Sequence, residues 1–107
     1  MSSDIKLRLI QDLEFIQMLG NPEYVVHLMK SGFFAEIEFR NYLKYLQYLR
    51  TPEYAHFMLY PLGLEVAKLF SDDSVVDAFL EDVDLRRSIL NEQVFTSWAM
   101  RSEVVDK

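Results

Sequence analysis

The sequence predicts an all-α fold: a single compact bundle of about six or seven helices, several of them short, spanning residues 1–107. Three observations predict it. Apolar residues recur at i, i+3, i+4 and i+7 in every long segment, and no segment keeps the period of two that a strand needs. Residues suited to helix N-caps stand before most of those segments. Glycine and proline contribute only three residues each, too few for a loop-rich β-sandwich.

The first helix is expected over residues 4–19, with Asp4 as its N-cap and Gly20 as its stop. Ile5, Leu9, Leu13 and Ile16 share one face, flanked by Ile10 and Leu19. The second begins at NPEY, residues 21–24. Asn21 can accept from a free backbone N–H, Pro22 needs no N–H at the first helical position, and Glu23 meets the positive end of the helix dipole. TPEY, residues 51–54, repeats that grammar with Thr51 as cap and Pro52 as start. The two PEY elements therefore read as two helix starts. An internal repeat fails, because His27 lies three residues past Tyr24 whereas His56 lies two past Tyr54. The second helix should run from about Pro22 to Lys30 and end at Ser31-Gly32, with Phe33 and Phe34 as apolar anchors.

The third helix, residues 35–50, would be ~24 Å long. Phe39, Leu43, Leu46 and Leu49 form its core stripe, and Arg40, Lys44 and Gln47 a polar one. Tyr42, Tyr45 and Tyr48 step by three and so drift from beside the core towards the polar side. This helix is expected at the centre of the bundle, and Tyr48 further from the core than Tyr42. A short helix should follow from Pro52 to about Leu59, then one from the Tyr60-Pro61 restart to Phe70, its start weakened by Gly63. SDDS at 71–74 is another cap cluster. Val76, Phe79, Leu80 and Val83 form an amphipathic face, and a break is expected near Asp82–Asp84. The last helix, about 84–101, uses Leu85, Ile89, Leu90, Val94, Phe95 and Trp98, and residues 102–107 fray.

Charge and chemistry exclude several classes. The net charge is −6, with ten acids against five bases in residues 61–107. Nucleic-acid binders usually carry a basic stripe, and here Arg86-Arg87 is the only basic pair. With no cysteine and one histidine per helix, no metal-ligand spacing is present. No run is apolar enough to span a membrane, and the first residues do not read as a signal peptide. Phosphate loops, zinc signatures and nucleophile elbows are missing, so no enzyme, cofactor or small-molecule substrate is expected. The acids of EDVD, 81–84, read as a solvated face. The surplus is in tyrosine. Tyr42, Tyr45, Tyr48, Tyr54 and Tyr60, with Pro61, could form a ridge that packs its rings against an extended proline-rich segment. A rival reading is a small adaptor that binds a basic protein through its acidic C-terminal half. A remoter one is an enzyme with an unrecognised carboxylate site.

At NYLKYLQYLRTPEYAHFMLYP, residues 41–61, the chain resembles the Mediator complex subunit 31 family. Asn41, Tyr42, Leu43, Lys44, Tyr45, Leu46, Tyr48, Pro52, Tyr54, Tyr60, Pro61 and Leu64 match that family's pattern, and LEFIQMLGNPEYVVHL at 13–28 resembles its upstream part. The resemblance is strongest over residues 12–70 and looser beyond, chiefly around Trp98. Two positions depart from it, Leu49 in place of a tryptophan and Gly63 in place of a cysteine. The resemblance implies a nuclear, non-enzymatic helical subunit of the Mediator middle module in RNA polymerase II transcription. It also implies a partner, the N-terminal and partly proline-rich segment of Mediator subunit 7, alongside other Mediator subunits.

Overall fold

The computed structural model describes residues 3–55 and 62–100, which form eight α-helices and two 3-10 segments with no strand among them. The helices are α1 (Ser3–Met18), α2 (Pro22–Lys30), α3 (Ile37–Tyr45), α4 (Pro52–Ala55), α5 (Leu62–Phe70), α6 (Asp73–Glu81), α7 (Val83–Ser88) and α8 (Glu92–Ala99). The 3-10 segments are Phe33–Ala35 and Leu46–Arg50. The all-α expectation holds, with one more helix than expected because the last segment is split.

Side-chain caps start four of the helices, α2, α6, α7 and α8. The Asn21 carboxamide accepts from the Glu23 N–H at 2.9 Å, Pro22 opens α2, and the helix ends at Lys30 as expected. Gly32 then takes φ 85°, a left-handed conformation that favours glycine. Asp72 caps α6 by accepting from the Ser74 N–H, and the Ser74 hydroxyl, then that N–H, hold its carboxyl below the ordinary carboxylate range. Asp82 ends α6 and caps α7 by accepting from the Leu85 N–H, which is the expected break. Asn91, not foreseen as a cap, accepts from Gln93 and Val94 and starts α8. The single helix expected over 84–101 is thus two. The restart at Asp82 also turns Val83 out of the amphipathic face: it is exposed, as are Leu90 and Val94.

Other expectations need correction. Asp4 lies inside the first turn of α1 rather than capping it. Ile5 and Ile10 are exposed, and the deepest residues of α1 are Asp12 and Ile16, with Leu19 buried just past its end. Thr51 donates its hydroxyl back to the Tyr48 carbonyl at 2.9 Å, while its own carbonyl accepts from the Tyr54 N–H. Of the two expected anchors, Phe34 is buried and Phe33 exposed. The helix expected over 35–50 is α only to Tyr45 and tightens to 3-10 from Leu46. The expected extension of α4 to Leu59, His56 and the fraying of 102–107 lie outside the described residues.

The central element is α5, not the tyrosine helix. It packs against α1, α3, the Leu46–Arg50 segment, α6 and α8. LGLEVAKLF is apolar nearly all round, as a helix enclosed on every side must be. Gly63 does not weaken this helix so much as permit its position. A Cβ there would lie 1.9 Å from the Ile16 carbonyl oxygen, so only glycine lets α5 and the end of α1 approach this closely. Phe34, Phe70, Phe79 and Trp98 then tie the 3-10 turn, α5, α6 and α8 together, with Phe34 and Phe70 centroids 4.6 Å apart and Phe70 and Trp98 5.4 Å apart. Ring pairs at such separations add to the apolar burial itself. The polar stripe of α3 docks on α6: Arg40 reaches Asp77 at 2.9 Å and Asp73 at 3.6 Å, and Lys44 reaches Asp73 at 3.0 Å.

Candidate partner-binding groove

Tyr42, Tyr45, Tyr48 and Tyr54 form an unbroken row of rings. Centroids are 5.9 Å apart from Tyr42 to Tyr45, 5.1 Å from Tyr45 to Tyr48 and 5.2 Å from Tyr48 to Tyr54. Phe15 of α1 closes the inner end, 5.4 Å from Tyr42. The row depends on the change of helix type. In an α-helix residues three apart are offset by about 60°, whereas in a 3-10 helix i and i+3 eclipse. Tightening from Leu46 therefore carries Tyr48 back under Tyr45 instead of letting it drift towards Arg40 and Lys44. The expected contrast between a core-side Tyr42 and an outlying Tyr48 is not what the fold contains: both rings are half-buried.

A buried acid joins those two rings. Asp12 is 1% exposed, and its carboxylate accepts from the Tyr42 hydroxyl at 2.6 Å and from the Tyr48 hydroxyl at 2.9 Å. Burial, then the hydrogen bond to Asp12, then its negative charge hold both phenols above their ordinary value. Arg8, one turn before Asp12, approaches that carboxylate at 3.8 Å and lays its guanidinium 5.3 Å from the Tyr45 ring centroid. The sequence reading missed Asp12 altogether. The signal was there: Asp12 stands four residues before Ile16 and three after Leu9, on the face that must go inward.

Between α1 and the tyrosine row lies an open groove of about 350 Å³. Tyr45, Tyr48 and Tyr54 form one wall, Ile5 and Leu9 the other, and Asp4 and Arg8 supply its charge. Tyr45 is the most exposed of the rings, at 45%, and Ile5 is 55% exposed. The groove can take an apolar, ring-complementary segment and offers polar atoms at its edges. Among the described residues it has no nucleophile and base within reach of each other. Of the expected partner-binding residues, Tyr42, Tyr45, Tyr48 and Tyr54 are brought together; Tyr60 and Pro61 lie outside the described residues. Tyr42 is turned to Phe15 and Asp12 and does not line the groove. Asp12 takes the hydroxyls of both Tyr42 and Tyr48, so of these two only Tyr48 faces the groove, and it does so with ring surface.

Two further polar side chains lie apart from the groove. His27 is exposed and its ring stacks on Tyr24. Glu65 is buried in α5, with Arg50 at 3.4 Å. Among the described residues no group of three or more His, Asp or Glu could hold a metal ion, and no helix is long and apolar enough to cross a membrane.

A family model described as SOH1, for Mediator subunit 31, matches residues 6–102, which takes in the C-terminal third as well as the tyrosine segment. Proteins named Mediator of RNA polymerase II transcription subunit 31 are similar over most of the chain. The one from Taenia solium is 41% identical over 83 residues, covering 78% of this chain and 49% of the relative. That from Schizosaccharomyces pombe is 35% identical over 98 residues, covering 89% and 67%. That from Arabidopsis thaliana is 35% identical over 91 residues, covering 85% and 45%. The chain thus spans about half the length of the Taenia and Arabidopsis relatives and two thirds of the yeast one.

Proposed function

The chain belongs to the Mediator subunit 31 family, and on that premise we propose that it is a non-enzymatic subunit of the Mediator complex, acting in the nucleus on RNA polymerase II transcription. Its work is scaffolding. The groove between α1 and the tyrosine row holds an extended, proline-containing segment of another Mediator subunit, the N-terminal part of subunit 7. The observation that carries this reading is the continuous ring row of Tyr45, Tyr48 and Tyr54 facing exposed Ile5 across an open groove. An extended proline helix has no internal hydrogen bonds and loses little entropy on docking, so stacked rings with spaces between them suit it. Asp12 fixes two of the four tyrosines before any partner arrives, and such preorganisation lowers the ordering cost of binding.

The rival reading, docking of a basic protein on the acidic half, is disfavoured by where the acids go. Asp73 and Asp77 are paired with Arg40 and Lys44, and Asp72 and Asp82 serve as helix caps. Calorimetric titration with the N-terminal segment of Mediator subunit 7 tests the proposal. Tyr45→Ala should weaken binding by about thirtyfold, which is ~2 kcal/mol. Unchanged affinity in a folded variant would remove the groove from the interface.

A further inference from the structure

A second cleft lies between α2 and α7 and shares no residue with the tyrosine groove. It encloses about 280 Å³. Its apolar lining is Val26 and Met29 of α2, Val83 of α7, and Leu90 just beyond; its charged lining is Lys30, Arg86 and Arg87. Among the described residues no carboxylate lines it. Local structure explains the arrangement. The Asp82 cap restarts the helix and leaves Val83 51% exposed, while Leu90 is 47% exposed after α7 ends. Arg86 donates to the Phe79 and Leu80 carbonyls in the last turn of α6, which pins its guanidinium at the cleft. Lys30 and Arg87 are exposed, and among the described residues no acid lies within ion-pair distance of either or of Arg86.

Three cations around an apolar floor run against the charge of a chain whose net value is −6. We propose that this cleft docks a short amphipathic helical segment of another protein, in which acidic residues flank large apolar side chains. An apolar side chain enters between Met29, Val83 and Leu90, and flanking carboxylates pair with Lys30 and Arg87. Arginine holds a carboxylate by two parallel N–H bonds, which adds orientation to attraction. Helix-in-groove docking of this kind is read by apolar anchors one turn apart. A nucleic acid would gain nothing from the apolar floor and would meet the net negative charge of the whole chain. The contact is small, so it belongs with weak, transient interfaces.

The probe is a fluorescein-labelled helical peptide with Leu at i, i+3, i+4 and i+7 and Glu between, titrated with the full chain by fluorescence anisotropy. Replacing its Glu by Gln, or its Leu by Ser, should each weaken binding about tenfold or more, the equivalent of ~1.4 kcal/mol. On the protein, Lys30→Glu with Arg87→Glu, and separately Leu90→Ser, should do the same, with thermal melts unchanged because these side chains are exposed. Tyr45→Ala should leave peptide binding intact, which separates this cleft from the tyrosine groove. The proposal is overturned if the Gln peptide binds equally, if the cleft variants bind like the parent, or if no saturable binding occurs. Light scattering that finds a dimer dissolved by Leu90→Ser would overturn it too, by making a second copy the occupant.

Discussion

The Tyr48 hydroxyl donates to Asp12 Oδ2 at 2.9 Å across 36 residues of sequence, and Tyr42 reaches the other oxygen of the same carboxylate. Two phenols from consecutive segments of different helix type thus share one buried acid. That contact binds α1 to the end of α3 and orders the ring row on which the proposed partner site rests.

Removing either phenolic oxygen should cost stability. Tyr42→Phe and Tyr48→Phe each delete a hydrogen bond to a charged acceptor and should lower unfolding free energy by about 1.5–3 kcal/mol. Tyr45→Phe should stay within about 0.5 kcal/mol, as exposed substitutions do. Urea denaturation of the three variants measures this. Equal small losses for all three would mean that Asp12 is not satisfied by these hydroxyls.

Gly63→Ala should be severe. The new methyl group would fall on the Ile16 backbone carbonyl, which cannot swing aside as a side chain could. Overpacking typically costs 1–3 kcal/mol, and a backbone obstacle puts this site at about 3 kcal/mol or more. A variant that melts within a few degrees of the parent would show that α1 and α5 are further apart than described.

Alkaline pH should unfold the protein through the same pair of tyrosines. Burial, Asp12 hydrogen bonding and Asp12 charge all raise their folded-state pKa above the ordinary value of 10.0. A raised folded pKa gives stability that is complete below the unfolded pKa and is lost as pH rises past it. Stability should therefore fall from about pH 10 upward. Absorbance titration of tyrosinate should show two of the rings ionising only with unfolding; Asp12→Ala should shorten that delay without abolishing it, since burial, the larger cause, remains.

How much of this was legible in the sequence depends on how local the cause is. The cap at Asn21, the cap cluster at 71–74 and the break near Asp82–Asp84 were readable because a cap needs only a side-chain oxygen and a backbone N–H two or three residues on. The end of α2 at Ser31-Gly32 was readable from the glycine, which lacks a Cβ and tolerates the φ of 85° found there. The switch to 3-10 at Leu46 carries no breaker of its own. Thr51, before Pro52, is extended at φ −68° and ψ 150°, as proline demands of its predecessor, but nothing local says that the preceding turn tightens. The row of tyrosines could be suspected from composition, whereas its alignment could not. Asp12 was passed over because an acid among leucines reads as solvated until its partners, 30 and 36 residues away, are in place. The central role of α5 was hidden in a nine-residue segment, since length rather than apolarity drew attention to the tyrosine helix.

The N-cap of α8 is a further local check. Asn91→Ala removes the one oxygen that accepts from the Gln93 and Val94 N–H groups and should cost about 1 kcal/mol, as should Asn21→Ala at α2. Thermal melts would record it; no change at Asn91 would mean that Phe95 and Trp98 hold α8 without its cap.

The central claim is that the groove beside Tyr45, Tyr48 and Tyr54 receives a proline-containing segment of a Mediator subunit. Nuclear Overhauser contacts between the aromatic protons of the chain and the proline ring protons of the isotope-labelled N-terminal segment of subunit 7 test it most directly. The account predicts contacts from the rings of Tyr45 and Tyr54, joined by the side chains of Ile5 and Leu9. Proline contacts confined to other surfaces, with those four side chains silent, would contradict it.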